Sequence, residues 1–317
     1  MKNKFQDFFS KYGNSRIAIV THNKADADSI SSAYALNKIL PKSIICTHEE
    51  MRLGAQMLAD KFSIETHELS SLKKEEFEGI VVVDTSAYTL VPEAAGWKIL
   101  AIIDHHRSDG RDMKGEFEII ETSSPSAAEI IANLLPEIDK EMAFALSVGI
   151  ISDGARFKSS RAGSFKTLSM LMEIAGAEYE ELLEYAEPEP RQEAKIAMLT
   201  AMKRVEFVYA AGYVIATTEV GSNESDAASI IAEAADVAFV AKWKNREQET
   251  RISARARKSV KVPLNEVMGE VGKMFGGAGG GHPKAAGAAL KTHSDEALKK
   301  CVEVFIEKAE KLESEKI

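Results

Sequence analysis

Along the first half of the chain the apolar positions follow two alternating rhythms. Short continuous apolar runs at 16–21, 43–47, 79–84 and 98–104 read as strands buried on both faces. Between them, stretches at about 29–40, 51–61 and 126–135 space their apolar residues three and four apart, as helices do. Alternation of this kind predicts repeated βαβ units, and so an α/β fold built on a doubly wound parallel sheet. Residues 141–151 are apolar at mixed helical spacing and read as a buried helix that delivers Ser152, Asp153 and Gly154.

The rhythm breaks at Ala186-Glu187-Pro188-Glu189-Pro190, where two prolines stop the preceding helix; helical spacing restarts at about Arg191. Strand candidates follow at 206–209, 213–218, 237–242 and 250–256, then a helix, a glycine-rich loop and a C-terminal amphipathic helix whose charged tail is expected to fray. These features predict an N-terminal domain over 1–186, a linker and connecting helix over 187–205, and a smaller α/β domain over 206–317. The active site is expected in the cleft between the two domains, with the linker letting the smaller one close.

Composition narrows the class. With 317 residues, 45% hydrophobic and 7% aromatic, the chain can bury a large core. No apolar stretch reaches the roughly 18–20 residues that span a bilayer, and the first residues lack the apolar run of a secretion signal, so a cytoplasmic protein with no membrane partner is expected. Cys46 and Cys301 form no CxxC pair and read as reduced and structural. The net charge of −9 argues against binding long duplex DNA, which rests on many cationic contacts to phosphates. Between 242 and 261, however, eight basic residues face two acidic ones, which suits small phosphorylated ligands.

Three apolar runs end on residues able to hold a metal: 17–20 leads into His22, 80–83 into Asp84, and 99–103 into Asp104-His105-His106. In an open parallel sheet ligands bind beyond the carboxyl ends of the strands, so these residues should converge. The turn His22-Asn23-Lys24-Ala25-Asp26-Ala27-Asp28 adds two carboxylates that could each serve one of two hard cations. Taken singly, Asp28 would be read as a helix cap and Asp84 as a solvated strand end. Recurrence at strand after strand favours a metal centre. Adjacent His105 and His106 point in different directions, so one can ligate while the other faces a substrate phosphate, and Asp104 can fix an imidazole tautomer.

Together, Asp104-His105-His106, the His22-x-x-x-Asp26-x-Asp28 turn, Asp84 and Asp153 resemble the DHH phosphoesterases. Gly279-Gly280-Gly281-His282-Pro283-Lys284-Ala285-Ala286-Gly287 is similar to the GGGHxxAAG signature of their DHHA1 partner domain. The resemblance covers nearly the whole chain. It implies two divalent cations, commonly manganese, one on His22, Asp26 and Asp84 and the other on Asp28, Asp84, His105 and Asp153, with Asp84 bridging. It also implies that His106 lies near the scissile phosphate, supported by Asp104. Two departures stand out: Ala25 and Ala27 replace the frequent Pro and Gly, and Gly154 replaces a frequent Thr.

Such a ligand set would let two cations about 3.5–4 Å apart share a hydroxide and stabilise displacement at phosphorus. Mixed imidazole and carboxylate donors favour manganese, with magnesium or cobalt as substitutes. In the smaller domain, strand periodicity puts Arg251, Ser253, Arg255 and Arg257 on one face, either a phosphate-binding surface or a charged edge that resists aggregation. The resemblance points to Arg255. Residues 276–281, ending in His282, suit a nest of backbone N–H groups for phosphate, formed by Gly279, Gly280 and Gly281. Phe157 and Phe275 read as either base-stacking or core residues.

Within the family, the two-domain length resembles the nanoRNase and phosphoadenosine phosphatase type. That type degrades short oligoribonucleotides such as pApA or removes the 3′-phosphate of adenosine 3′,5′-bisphosphate (pAp). Alternatives are a cyclic di-AMP phosphodiesterase, a RecJ-like single-strand exonuclease, or, outside enzymes, a silent replication-complex scaffold or a nucleotide sensor. Family II pyrophosphatases share the metal motifs but differ in the C-terminal domain. Whether a homodimer forms stays open.

Overall fold

A computed structural model describes residues 1–48, 51–106, 111–154 and 161–314. The chain divides into two units, Met1–Glu189 and Pro190–Ile317.

In the first unit the chain order is α1 (Lys2–Tyr12), β1 (Ile17–Asn23), α2 (Ala27–Ile39), β2 (Ser43–His48), α3 (Leu53–Phe62), β3 (Thr66–His67), β4 (Gly79–Val83), β5 (Ile99–Asp104) and β6 (Phe117–Ile120). Four helices follow, α4 (Ala127–Leu134), α5 (Lys140–Asp153), α6 (Ala162–Ala175) and α7 (Tyr179–Ala186). All six strands pair in parallel, in the order β3-β2-β1-β4-β5-β6. The doubly wound expectation holds, with two strands added, β3 and β6. Every residue of β4 and β5 is buried, which accounts for their unbroken apolar runs. Strand order reverses at β1 and β4, which makes the carboxyl ends of β1, β4 and β5 the place for a ligand.

α5 is buried all round from Met142 to Ile151, the physical origin of its mixed spacing. Where it crosses α2, Gly149 permits the contact: a Cβ there would stand 2.8 Å from Ala128 Cβ and 3.2 Å from Asp28 Cα.

The second unit runs α8 (Gln192–Arg204), β7 (Glu206–Ala210), β8 (Tyr213–Glu219), α9 (Glu224–Ile231), β9 (Val237–Lys244), β10 (Glu249–Ala256), α10 (Leu264–Met274), β11 (Ala278–His282), β12 (Ala285–Leu290) and α11 (Ser294–Ser314). Its sheet has the order β11-β12-β10-β9-β8-β7, antiparallel except for β8 with β9. Helix α8, expected as a connector, packs on α9 and β8 within this unit. The glycine-rich segment is not a loop. It is strand β11, and its glycines answer to close packing: a Cβ on Gly279 would collide with the Met268 carbonyl of α10, and one on Gly277 with the Ala289 carbonyl. Among the described residues no helix is long and apolar enough to cross a membrane.

Candidate metal centre

The β1–α2 turn is shaped by its capping. Asp26, not Asp28, is the N-cap of α2: its carboxylate accepts from the Ser29 N–H at 3.2 Å, and the Ser29 side chain closes the box. Asp28 sits in the first turn of α2, buried, and its two oxygens accept from the N–H groups of Ala127 and Ala128, each at 2.8 Å. The N-terminus of α4 thus orients this carboxylate. Asp84 follows β4 in a left-handed backbone conformation, φ 61°, held by its N–H to the Ile103 carbonyl at 2.9 Å. Strain of this sort in a non-glycine residue gathers at functional sites. Asp104 ends β5, and Asp153 ends α5.

These segments bring the predicted side chains together. His22 Nε2 lies 3.4 Å from Asp84 Oδ2 and 3.7 Å from Asp26 Oδ1. His105 Nε2 lies 3.2 Å from both Asp84 Oδ1 and Asp153 Oδ2, and 4.0 Å from Asp28 Oδ2. Among the described residues three overlapping groups could hold an ion, His22 with Asp26 and Asp84, Asp28 with His105 and Asp153, and Asp84 with His105 and His106, their donor atoms within 4.8 Å of one another in each. Asp84 and His105 belong to two groups each.

The electrostatics match that crowding. Burial opposes a charge on His22, yet Asp26 and Asp84 outweigh it and push the imidazole up to about 10. Burial likewise opposes the Asp26 charge, but His22 holds it down at about 2. His105 is raised by Asp84 and Asp153 against its burial. Burial, reinforced by Asp84, raises both Asp28 and Asp153, the latter to about 6. The crowded carboxylates favour the protonated form of the imidazoles beside them, and divalent cations would compete with those protons. Two buried atoms facing one another, Asp84 Oδ1 and His105 Nε2, have no hydrogen-bond partner. An orphaned carboxylate oxygen beside an orphaned imidazole nitrogen suits a borderline-hard divalent ion.

His106 is placed differently. Its Nδ1 lies 2.8 Å from Asp104 Oδ1, and its side chain is 56% exposed. Asp104 raises the His106 pKa; Asp104 itself is buried but lowered by His106 and by Ser86, whose hydroxyl donates at 2.6 Å. Sequence reasoning missed Ser86 and the two α4 amides. Ser86 had a signal, two positions after Asp84; backbone amides carry none.

In the second unit, pairing across β10, β12 and β11 sets Arg255 beside Ala285 and His282, and Ser253 beside Gly287 and Gly280. This face borders a groove of about 510 Å³ lined by Ser225, Arg251, Ser253, Gly280 and Gly287. Arg255 donates to Ser225 Oγ at 2.7 Å. Two expectations need correction. Arg257 lies beyond the end of β10 and leaves the face, its guanidinium donating to the Ala232, Glu233 and Ala235 carbonyls that close α9. The nest over 276–281 is not formed, because the N–H groups of Gly276 and Gly277 bond to Lys273 and Gly272 at the end of α10, and a strand alternates the rest. Gly281 is nevertheless left-handed, φ 128°, and His282 is exposed. Phe275 packs on the core, and Phe157 lies outside the described residues.

Fold and site together define a two-unit α/β protein with a cluster of histidines and carboxylates that could hold metal at the switch point of its parallel sheet. Family models agree: the N-terminal domain of the DHH family matches residues 16–150 and the DHHA1 domain matches 211–311, so the chain belongs to the DHH/DHHA1 family. An uncharacterized protein of Methanocaldococcus jannaschii, MJ0988, is 29% identical over 86% of each chain. A probable manganese-dependent inorganic pyrophosphatase of Streptococcus equi subsp. equi is 24% identical over 53% of this chain and 58% of its own. Among solved structures, an exopolyphosphatase-related protein from Bacteroides fragilis superposes with a TM-score of 0.79 at 16% identity, covering 98% of this chain and 97% of its own. The pGpG-specific phosphodiesterase PggH of Vibrio cholerae gives 0.50 at 13% identity, covering 91% and 98%.

Proposed function

We propose that the chain is a metal-dependent phosphoesterase that hydrolyses short oligonucleotides or small nucleotides such as pApA and pAp. The observation that carries this reading is the convergence of His22, Asp26, Asp28, Asp84, His105 and Asp153, with Asp84 Oδ1 and His105 Nε2 left unpaired at its centre. His22, Asp26 and Asp84 would hold one divalent cation and Asp28, Asp84, His105 and Asp153 a second, with manganese the expected metal and magnesium or cobalt as substitutes. Cations so held would supply charge neutralisation at phosphorus and a hydroxide at neutral pH. Asp104 fixes the His106 ring through Nδ1, so Nε2 faces outward, able to hydrogen-bond a non-bridging or leaving oxygen of the scissile phosphate. Residues 1–186 would carry this chemistry and 206–317 would hold the rest of the substrate, joined by 187–205. Arg255 and His282, flanking a floor that includes Gly279, Gly280 and Gly281, would bind a second phosphate.

Support for a nucleotide substrate is the DHHA1 match beside the DHH match and the likeness to a phosphodiesterase named for pGpG. Support for manganese is the streptococcal relative, which also favours a second reading, pyrophosphate hydrolysis. The deciding assay incubates purified protein with manganese and pApA and measures adenosine monophosphate beside an Asp84→Asn control. Parallel arms hold pAp, cyclic di-adenylate, longer single strands and pyrophosphate. Manganese-dependent release lost in the control supports the proposal; turnover of pyrophosphate alone replaces the nucleotide reading with the second one. No turnover of any substrate raises the scaffold or sensor reading above it.

A further inference from the structure

Three of the four sheet ends are protected. β3 is two residues long, β6 is short and packed by α1, and β11 lies under α10. The fourth, β7, has no cover among the described residues, and its one charge, Glu206, stands at its first position. Its sequence, Glu206-Phe207-Val208-Tyr209-Ala210, contains no lysine or proline, and Phe207 and Tyr209 are 70% and 75% exposed. Beside it, α8 exposes Ile196, Leu199 and Met202 at a spacing of three, Leu199 at 67%. The two surfaces share one side of the sheet. Phe207 and Tyr209 pair with Ala216 and Val214, which pack in the cluster containing Ala201 of α8, whereas Val208 pairs with Ile215 on the opposite side.

We propose that β7 and α8 form the interface of a two-fold homodimer in which β7 pairs antiparallel with β7 of a second copy. Self-pairing of an edge strand about a two-fold must be antiparallel, and it closes after two chains. Centred on Val208, it sets Phe207 opposite Tyr209 of the other copy and Glu206 opposite Ala210, so no like charges meet. A two-fold perpendicular to the sheet keeps both α8 helices on one side, above the four aromatic rings. The helices then run antiparallel, which brings Glu193 near the start of one toward Arg204 at the end of the other. By area, the five exposed apolar side chains of this side amount to on the order of 600 Å² per copy, since an aromatic side chain alone offers about 150–250 Å². That supplies most of the roughly 800 Å² per partner of a standard interface. The proposal stands independently of the reading of the metal centre.

Sedimentation velocity on the full chain across a wide concentration range tests it. The expected mass is twice 34.6 kDa. A Phe207→Lys, Tyr209→Lys double variant should sediment as a single chain with its melting temperature retained, and Leu199→Glu should weaken association at least about tenfold. Val208→Cys treated with a short bismaleimide should give a two-chain cross-link, with little background because Cys46 and Cys301 are buried. Three results would overturn the proposal: a single-chain mass at every concentration, a dimer that persists in the double variant, or hydrogen-exchange protection, in a single-chain species, of the β7 amides that do not bond to β8. The last would assign the face to another part of the same chain.

Discussion

Replacing Gly149 by alanine puts a methyl group where α5 crosses α2, against Ala128 Cβ at 2.8 Å and Asp28 Cα at 3.2 Å. Carbon pairs prefer about 3.5–4.0 Å, so relief needs a local separation of roughly 0.8 Å. The Ser31 hydroxyl, also in the way, can rotate aside; the Asp28 backbone and the Ala128 methyl cannot. Overfilling a packed core costs about 1–3 kcal/mol, and two fixed neighbours place this case near the upper end. Alanine's better helix propensity offsets about 1 kcal/mol, leaving a net loss of about 2 kcal/mol. At roughly 2–4 °C per kcal/mol for a unit of this size, the melting temperature should fall by roughly 4–8 °C. The same displacement moves Asp28 relative to the α4 amides that orient it, so manganese affinity should fall about 10–100-fold. Calorimetric melting in chelator, then manganese titration, reads both. Gly163→Ala, whose added Cβ meets no other described residue within 4 Å, is the control. A Gly149→Ala protein that melts at or above the unaltered chain, with unchanged manganese affinity, would refute the idea that this crossing positions Asp28.

Metal binding should release protons. The His22 pKa is raised from 6.5 to about 10, so the stability from its pairing with Asp26 and Asp84 is full below 6.5 and fades as the pH climbs through 10. A cation at Nε2 must expel that proton, so manganese affinity should rise with pH across this window, and titration heats at pH 7 should depend on the buffer's ionisation enthalpy. Burial pushes the Cys46 and Cys301 thiols up to about 12, so neither should react with a thiol reagent at pH 8 until denaturant exposes both. Arg257→Ala removes the cap on α9 and should cost about 1 kcal/mol, seen as a lower melting temperature with manganese binding unchanged. Arg255→Ala should raise KM for a short oligonucleotide more than it lowers manganese affinity, and an unchanged KM would remove Arg255 from the substrate site.

What the sequence discloses is what depends on alternation and strand ends. The runs leading into His22, Asp84 and Asp104 announce both the parallel sheet and the cluster, because burial on both faces and ligation at carboxyl ends leave marks on neighbouring residues. β3 and β6 escaped because two residues make no pattern and Phe117-Glu118-Ile119-Ile120 makes a short one. Read locally, 276–281 is a loop, since glycine disfavours strands; the close pass of α10 reverses that, and no local pattern reports it. Taken singly Asp28 reads as the cap, because the helix is expected from Ser29; α2 starts two residues earlier and Ser29 closes the box on Asp26 instead. Strand parity was right for Arg251 and Arg255 and failed at Arg257 because β10 ends one residue earlier.

The grip of α4 on Asp28 has a consequence in time. The carboxylate and its amide partners are 99 and 100 positions apart, and Asp153 comes later still. At ribosomal rates of about 5–20 residues per second, Asp28 emerges on the order of 5–20 s before the group that will aim it. Through that interval Asp28 is made but unpositioned, while Asp26 is already held by its cap on Ser29. A cation on Asp28, Asp84, His105 and Asp153 would therefore act as a late clasp on a nearly finished unit and not as its nucleus, the reverse of small zinc modules, where the metal starts the fold.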